Sequence, residues 1–378
     1  MNVNILYNGC AVGSASNIIL YFGMKVVKPL PHTYMSQLTL EDIAKQAGVS
    51  RSTVSRVVND HPNVSDSVRR RVQEVIQNTG YHPNAAARTL ASQRSWVIGL
   101  VLPHSVSWLF TDPYYPHLTQ GIAQACNQNS YTLALFLVGD KEDEKKIFPR
   151  VSRNGLLDGV LVQAGHHGDT LLDRLVHADI PLVVAGRPFQ TSGVSYIDID
   201  NVDAAYKAVK HLIDIGYKRI ATITGPAESA VGIDRKKGYE LAMHDADIPM
   251  DPSLIIQGDF TETGGYSVMQ TLLSEKPDAV FAASDIMAIG AMRAAMDAGL
   301  HIPQDIAFVG FDDIPLTTQS NIPLTTVHQP VIQFGIKAVE LLIDMIENGI
   351  KPARRVIMET ELVIRQSCGA KQKTSEQY

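Results

Sequence analysis

Residues 38–59 read LTLEDIAKQAGVSRSTVSRVVN, two short amphipathic segments joined by a glycine. Thr39 is placed to cap the first helix, with Asp42 three residues on in a capping-box position, and Ile43, Ala44 and Ala47 recur at helical spacing as an inward stripe. Gly48 supplies the left-handed backbone that an abrupt turn needs, Val49 fills the angle, and Ser50 caps the second helix. Val54 and Val57 then face inward. Arg51, Ser52, Thr53, Ser55, Arg56 and Asn59, together with the caps Thr39 and Ser50, are left as groups able to bond base edges and phosphates, the layout of a helix-turn-helix reader in a major groove. Any two short helices joined by glycine share this pattern, so its neighbours have to decide.

Downstream, the spacing predicts a third helix over 65–79, capped by Ser65, with Val68, Val72, Val75 and Ile76 inward and Gly80 closing it. Three helices make a minimal core. Asn63, Tyr81 and at least one of Arg69, Arg70 and Arg71 are expected at the duplex, although a charge run is also a common solvated face. Residues 36–95 hold eight Lys/Arg against five Asp/Glu, a net +3, whereas residues 96–378 hold 23 against 34, a net −11, within a whole-chain charge of −6. A basic head on an acidic body favours approach to DNA by one end, with an affinity that falls steeply as salt rises.

After Tyr81, HPNAAARTLASQR starts a short Ala-rich helix at Pro83 and Asn84. With TLEDIAKQAGVSRSTVSRVVN and HPNAAARTLA in place, the chain resembles the lactose-repressor/galactose-repressor (LacI/GalR) family, and the likeness runs from about Leu38 to Cys368. The resemblance implies a hinge segment over 83–95 that orders on operator DNA, Asn84, Ala87 and Arg88 lying along it and Leu90 entering the minor groove at the site's centre. Such a wedge costs unstacking and allows a bend; the plain alternative for Leu90 is a core residue at the linker's end.

From Val97 onward, apolar β-rich runs (VIGLVLP, YTLALFLV, DGVLVQA, PLVVAG, RIATITG, AVFAAS, IAFVGF) alternate with helical segments, the first expected near 119–129. Alternation of this kind predicts parallel sheets covered on both faces, and roughly ten strands are enough for two of them. The fold class expected is an N-terminal all-α helix-turn-helix domain plus an α/β core of two doubly wound parallel-sheet lobes, periplasmic-binding-protein-like by the resemblance. The domains are read as a head over 38–82, a hinge over 83–95, a core over 96–368 and a polar tail over 369–378. Within the core the N-lobe takes 96–198 and 330–353 and the C-lobe 199–323 and 356–368, with crossings near Ile199, over 323–329 and over 351–355. The tail lacks the leucine heptads of a tetramerising coil.

Ligands of open α/β sheets bind beyond the carboxyl ends of the strands. By resemblance, RKKGYE carries Arg235 onto the family's effector-binding arginine. SDIMAIGAM carries Ser284 and Asp285 onto an N-D-x-x-A-x-G motif in which Ser284 replaces the usual Asn. VGFDDIPL places Asp312 as a carboxylate for ligand hydroxyls, QGDF places Phe260 as a stacking aromatic, and LTTVHQP brings Gln329 to a crossing. Arg187 in VVAGRPF joins them. Each also has an ordinary reading, as turn cap, surface arginine or core aromatic. The set suits a sugar, because carboxylate and guanidinium can each grip adjacent hydroxyls. The longer LPHSVSWLFTDPYYPHLTQGI resembles the family's maltose and α-glucoside repressors, so Trp108, Phe110, Tyr114 and Tyr115 are read as an aromatic wall or, equally, a packing cluster.

The resulting expectation is a cytoplasmic, homodimeric regulator, acting as a repressor, that binds a pseudo-palindromic operator under allosteric control of a carbohydrate effector of the maltose or α-glucoside type. The alternatives are a purine corepressor in the same family or a sugar-binding protein without DNA function. No G-x-S-x-G, metal-spaced His cluster or phosphate loop is present, and Cys10, Cys126 and Cys368 form no CxxC pair, so no enzyme, metal, cofactor or disulfide framework is expected. His166 and His167 are read as loop residues. The apolar run in SNIILYFGM has no preceding basic residue and is too short for an export signal or a membrane span. Residues 1–37 are read as a disordered or non-native extension ahead of a start at Met24 or Met35, which mass spectrometry of the native product checks.

Overall fold

The computed structural model describes residues 38–58, 61–81, 94–102, 109, 112–152, 155–163, 170–178, 180–189, 193–319 and 321–370. The chain falls into two compact units, one ending at Pro83 and one beginning at Asn84.

In the first unit, α1 (Leu40–Ala47), α2 (Arg51–Val58) and α3 (Asp66–Thr79) enclose a small core of Ile43, Ala44, Ala47, Val54, Val57, Val72 and Tyr81. Gly48 ends α1 at φ 62° and its N–H returns to the Ala44 carbonyl. Gly80 closes α3 in the same way, its N–H returning to Ile76. Ser65 stands at the start of α3 but makes no side-chain cap bond, contrary to expectation; its hydroxyl lies 3.4 Å from that of Ser67. Serine's short side chain satisfies either a helix amide or a neighbouring hydroxyl, and the sequence does not show which.

The second unit carries two six-stranded sheets. The first is built from β1 (Val97–Leu102), β2 (Thr132–Leu137), β3 (Gly159–Gln163), β4 (Leu182–Ala185), β5 (Ser195–Ile199) and, far downstream, β11 (Arg355–Met358), in the order β11-β5-β4-β3-β1-β2. Its helices are α4 (Tyr114–Gln128), α5 (Lys141–Val151), α6 (Thr170–Val176) and α12 (Val331–Asn348). The second sheet comprises β6 (Ile220–Thr224), β7 (Ile255–Gln257), β8 (Ala279–Ala282), β9 (Ala307–Asp312), β10 (Thr325–His328) and β12 (Glu361–Val363), ordered β12-β10-β9-β8-β6-β7. With it go α7 (Asn201–Asp214), α8 (Ala230–Asp245), α9 (Glu262–Leu272), α10 (Asp285–Asp297) and α11 (Leu316–Gln319). All recorded pairings are parallel except β10 with β12.

Both faces of each sheet are buried, which is why the central strands are unbroken apolar runs. In the N-lobe, Ile98, Leu100, Leu161 and Ile197 pack with Leu118, Ile122, Val339 and Leu342, while the alternating Val101, Val160, Val162 and Val184 pack with Val151, Leu171 and Leu175. In the C-lobe, Ile223, Val280 and Phe308 meet Met269 and Met292; Ile220, Phe281, Val309 and Phe311 meet Val209, Leu212 and Tyr239. Each such side chain contributes roughly 1.5–3 kcal/mol on leaving water.

The lobe boundaries shift from the sequence reading. β10 pairs with β9, so Thr325–His328 belongs to the C-lobe and that crossing narrows to Gln329 and Pro330. β11 pairs with β5, and β12 with β10, so the third crossing lies at 359–360 rather than 351–355. RVIMETELVI is one nearly continuous strand-forming run, and where it leaves one sheet for the other is set by partners distant in sequence. The helix expected near 119–129 also starts earlier, at Tyr114.

Candidate DNA-reading surface and effector cleft

In the head, the hydroxyl groups at the helix starts are committed to the backbone. Thr39 accepts from the Asp42 amide at 3.3 Å and donates its own N–H to the Asp42 carboxylate at 2.8 Å. The Thr39 N–H first, and then the Thr39 hydroxyl, which also donates to the carboxylate at 2.8 Å, hold the Asp42 carboxyl below the usual range. Ser50 accepts from the Thr53 amide at 3.1 Å and shares hydroxyl contacts with Ser52 at 2.7 Å and Thr53 at 2.8 Å. Capping in this way fixes the direction of α2. Arg51, Ser52 and Arg56 stand exposed on it, with Thr53 and Ser55 half-buried. Arg51 pairs with Glu41 at 2.9 Å, both side chains being more than half exposed, a contact worth little in water and easily exchanged for a base or phosphate.

Asn63 is exposed, and Arg70 and Arg71 are exposed on α3, whereas Arg69 donates to the His61 carbonyl at 2.7 Å. Tyr81, expected at the duplex, is 7% exposed with its ring in the head core. An aromatic beside a closing glycine reads alike as contact or as plug, and here it is the plug. Asn59, Asn84, Ala87, Arg88 and Leu90 lie outside the described residues, as do Trp108, Phe110, His166, His167 and residues 1–37.

In the core, Arg235 on α8 is 4% exposed and gathers residues from separate segments. Its Nε donates to Asn201 at 2.9 Å, its Nη1 to the Ala283 carbonyl at 2.6 Å and to Asp312 at 3.1 Å, and its plane lies 3.5 Å from the Phe311 ring centroid. Asp312 also accepts from Gln329 Nε2 at 2.5 Å. Burial pushes the Asp312 carboxyl up, against the opposing pull of Arg235. The backbone turns sharply here, with Asp312 at φ 115° and Asp313 at φ 59°; such conformations are held only where surrounding bonds over-determine them.

Asp285 has a different part from the one expected. It is fully buried, accepting from the Ile314 amide at 3.0 Å and from the Thr326 hydroxyl at 2.5 Å. At Gly310 a Cβ would stand 2.2 Å from the Asp285 carboxylate, so only glycine admits it. Asp285 therefore fixes the loop that presents Asp312. Ser284 caps α10, accepting from Met287 at 3.4 Å. Phe260, at φ 59°, lays its ring on Gly225, where a Cβ would come within 2.3 Å of Cζ.

From the N-lobe, Tyr114 and Tyr115 meet edge to face with ring centroids 5.4 Å apart. Tyr115 is mostly core. The Tyr114 hydroxyl is pushed up chiefly by burial, then by the negative charges of Asp198 and Asp312, with Arg235 opposing. Arg187 spans the lobes, gripping Asp234 through Nε at 3.1 Å and Nη2 at 2.8 Å.

Sequence reasoning missed Asp112, Asp198, Asn201 and Asp234. Asp112 accepts from the Tyr114 amide at 2.9 Å, and its carboxyl is raised by burial. Asp198, at the end of β5, is raised to about 6, chiefly by burial. It accepts from the Ile199 amide at 2.9 Å and from Asn201 Nδ2 at 3.3 Å. The available signal was polar residues closing the strand run SYIDIDN, but Asp200 in the same run is an ordinary cap, accepting from the Asp203 amide. Gln163, closing β3, keeps a buried Oε1 without a hydrogen-bond partner among the described residues. Taken together, the described residues of the cleft offer carboxylates, amides and the guanidinium groups of Arg235 and Arg187, a surface suited to hydroxyl groups.

Comparison with known proteins follows the same division. The sequence profile for bacterial regulatory proteins of the lacI family matches residues 39–84, and that for a periplasmic binding protein-like domain matches residues 209–368. The chain is 37% identical over 333 residues to the HTH-type transcriptional regulator CelR of Thermobifida fusca, covering 87% of this chain and 98% of that protein. Among solved structures it resembles a CelR–cellobiose complex at 35% identity and TM-score 0.70, covering 87% and 99% of the two chains. It also resembles the lac repressor dimer bound to operator and the anti-inducer ONPF, at 26% identity and TM-score 0.77, covering 88% and 99%.

Proposed function

Given that this chain belongs to the lacI family of bacterial regulatory proteins, we propose that it is a homodimeric repressor whose grip on a pseudo-palindromic operator is set by a sugar, of the maltose or α-glucoside type, bound between the lobes of its core. The observation that carries this reading is the Arg235–Asp312–Gln329 centre, charged and nearly solvent-free at the carboxyl ends of the strands. Guanidinium, carboxylate and amide each have hydrogen-bonding directions left for vicinal hydroxyls, and Phe260 provides a face for the ring's C–H groups. Arg51, Ser52 and Arg56 read and hold the DNA, while Thr39 and Ser50 fix the helices that carry them.

Control is a linkage. A sugar that prefers one lobe arrangement shifts the population toward it, and an inducing sugar weakens operator binding by the factor with which operator weakens sugar binding. A second reading, a β-linked glucose disaccharide, is favoured by the cellobiose complex of the CelR relative. Calorimetric titration with maltose, cellobiose, glucose and hypoxanthine separates them. Operator anisotropy with and without the binding sugar then gives the sign of control. Binding of hypoxanthine with none of the sugars would overturn the proposal.

A further inference from the structure

Beside the Arg235 centre is a chamber of about 450 Å³ that no part of the proposed central site fills. Its floor is the edge of the N-lobe sheet. β5 and β11 pair with Tyr196 beside Arg355 and Asp198 beside Ile357, so these four side chains share one face. Ile357 is 54% exposed there, a large apolar side chain at a sheet edge among polar neighbours. The opposite wall belongs to the C-lobe: Asp234 and Lys237, three residues apart on α8, line the chamber from one helix face. Arg187 crosses from one wall to the other through its two-pronged bond to Asp234.

One amide links this chamber to the central site. Asn201 donates to Asp198, which lines the chamber, and accepts from Arg235, which centres the main site. A ligand held by Arg235 and Asp312 thus lies next to the residue, Asn201, that lines this second space and bonds Arg235. That space has an apolar strip, from Ile357 and the Tyr196 ring, facing carboxylates and an ammonium. The volume lies within the range of small-ligand sites, and the pairing of one apolar wall with one polar rim suits a pyranose, whose C–H face and hydroxyl edge differ in the same way.

We propose that this chamber receives the second ring of a disaccharide effector, and that Tyr196, Ile357 and Lys237 thereby select disaccharides over single sugars. The inference rests on the sugar-effector reading. Residues on both sides of the lobe crossing at Ile199 line the chamber, as do Ile357 of the N-lobe and Asp234 and Lys237 of the C-lobe, so a second ring there bears on both lobes, and the longer effector is the stronger allosteric one.

The test is calorimetry on the full chain with glucose, maltose and cellobiose, comparing wild type with Ile357→Trp, which fills the chamber from an exposed position. The proposal expects one disaccharide to bind wild type at least ten-fold more tightly than glucose. The variant should lose at least ten-fold for that disaccharide while glucose affinity stays within two-fold and the melting temperature is unchanged. Lys237→Ala should reduce the same preference by a smaller factor. Equal losses for both sugars in Ile357→Trp, no loss for either, or no preference for a disaccharide in wild type would overturn the chamber's role while leaving a sugar effector standing. Failure of all three sugars to bind wild type would overturn both.

Discussion

The head and the cleft use charge in opposite ways. On α2 the arginines are exposed and at most loosely paired, Arg51 with Glu41 across solvent, and the stability of the unit comes from a few buried aliphatics and two helix ends. In the cleft, Arg235 and Asp312 are nearly solvent-free and bonded to each other and to Asn201, Ala283 and Gln329. A group that must meet a phosphate from water can remain hydrated until contact. One that must grip a small ligand without delay is held in place beforehand, and the fold supplies the bonds that make its burial tolerable. The two sites should therefore respond differently to substitution: affinity alone at the head surface, affinity and stability together in the cleft.

The sharpest test is Arg235→Met, which strands the Asp312 carboxylate and the Asn201 oxygen. Urea denaturation should show a loss of about 3–5 kcal/mol, and calorimetry should show no sugar binding. A variant of wild-type stability would erase the contrast between the regions. Next comes Asp198, whose carboxyl is raised to about 6 against about 3.9 in an unfolded chain. Between those values the native state keeps a proton the unfolded chain has released, so stability falls as pH rises through that window. Asp198→Asn should remove a decline on the order of 2 kcal/mol between pH 4 and pH 7, visible as a flattened melting-temperature profile; a profile parallel to wild type would refute it.

At the head, Arg51→Ala should relax base selection at one position in each half-site, by about 1–3 kcal/mol, with melting unchanged. Selection of the same operator sequences from a random pool would count against it. Arg56→Ala should weaken binding to all sequences alike and lower the salt slope by about one. The smallest effect expected is Thr39→Ala, about 1 kcal/mol of head stability from the lost cap, measured by hydrogen exchange of the Ile43 and Ala44 amides.

How far the sequence could be read differs between the same two regions, for a physical reason. α1, α2 and α3 follow from local spacing and turn chemistry, because each inward residue meets a partner a few turns away. The central strands were equally legible as apolar runs. The strands at the crossing-side ends of the sheets, β5, β10, β11 and β12, and the edge strand β7 were not: SYIDI, TTVH, RVIM, ELV and IIQ are short or mixed, and their pairing depends on a sheet already formed. Arg235, Asp312 and Gln329 could be placed through resemblance. Asp112, Asp198 and Asn201 could not, since a polar residue at a strand end serves as readily for a cap as for a cleft.

By itself, then, the sequence determined the helix-turn-helix, its exposed reading face, and two layered α/β lobes, all consequences of periodicity and turn residues acting over short distances. Only the tertiary structure decided that Asp285 holds a loop rather than a ligand, that Tyr81 plugs the head, that RVIMETELVI divides between two sheets, and that Arg187 reaches Asp234 across the lobes. Those outcomes depend on which partners distant segments meet: donors for the buried Asp285 carboxylate, an apolar core for the Tyr81 ring, neighbouring strands for RVIM and ELV, and a carboxylate for Arg187. Burial makes an unpartnered charge costly enough that segments far apart in the chain are held to one arrangement, and no local pattern records it.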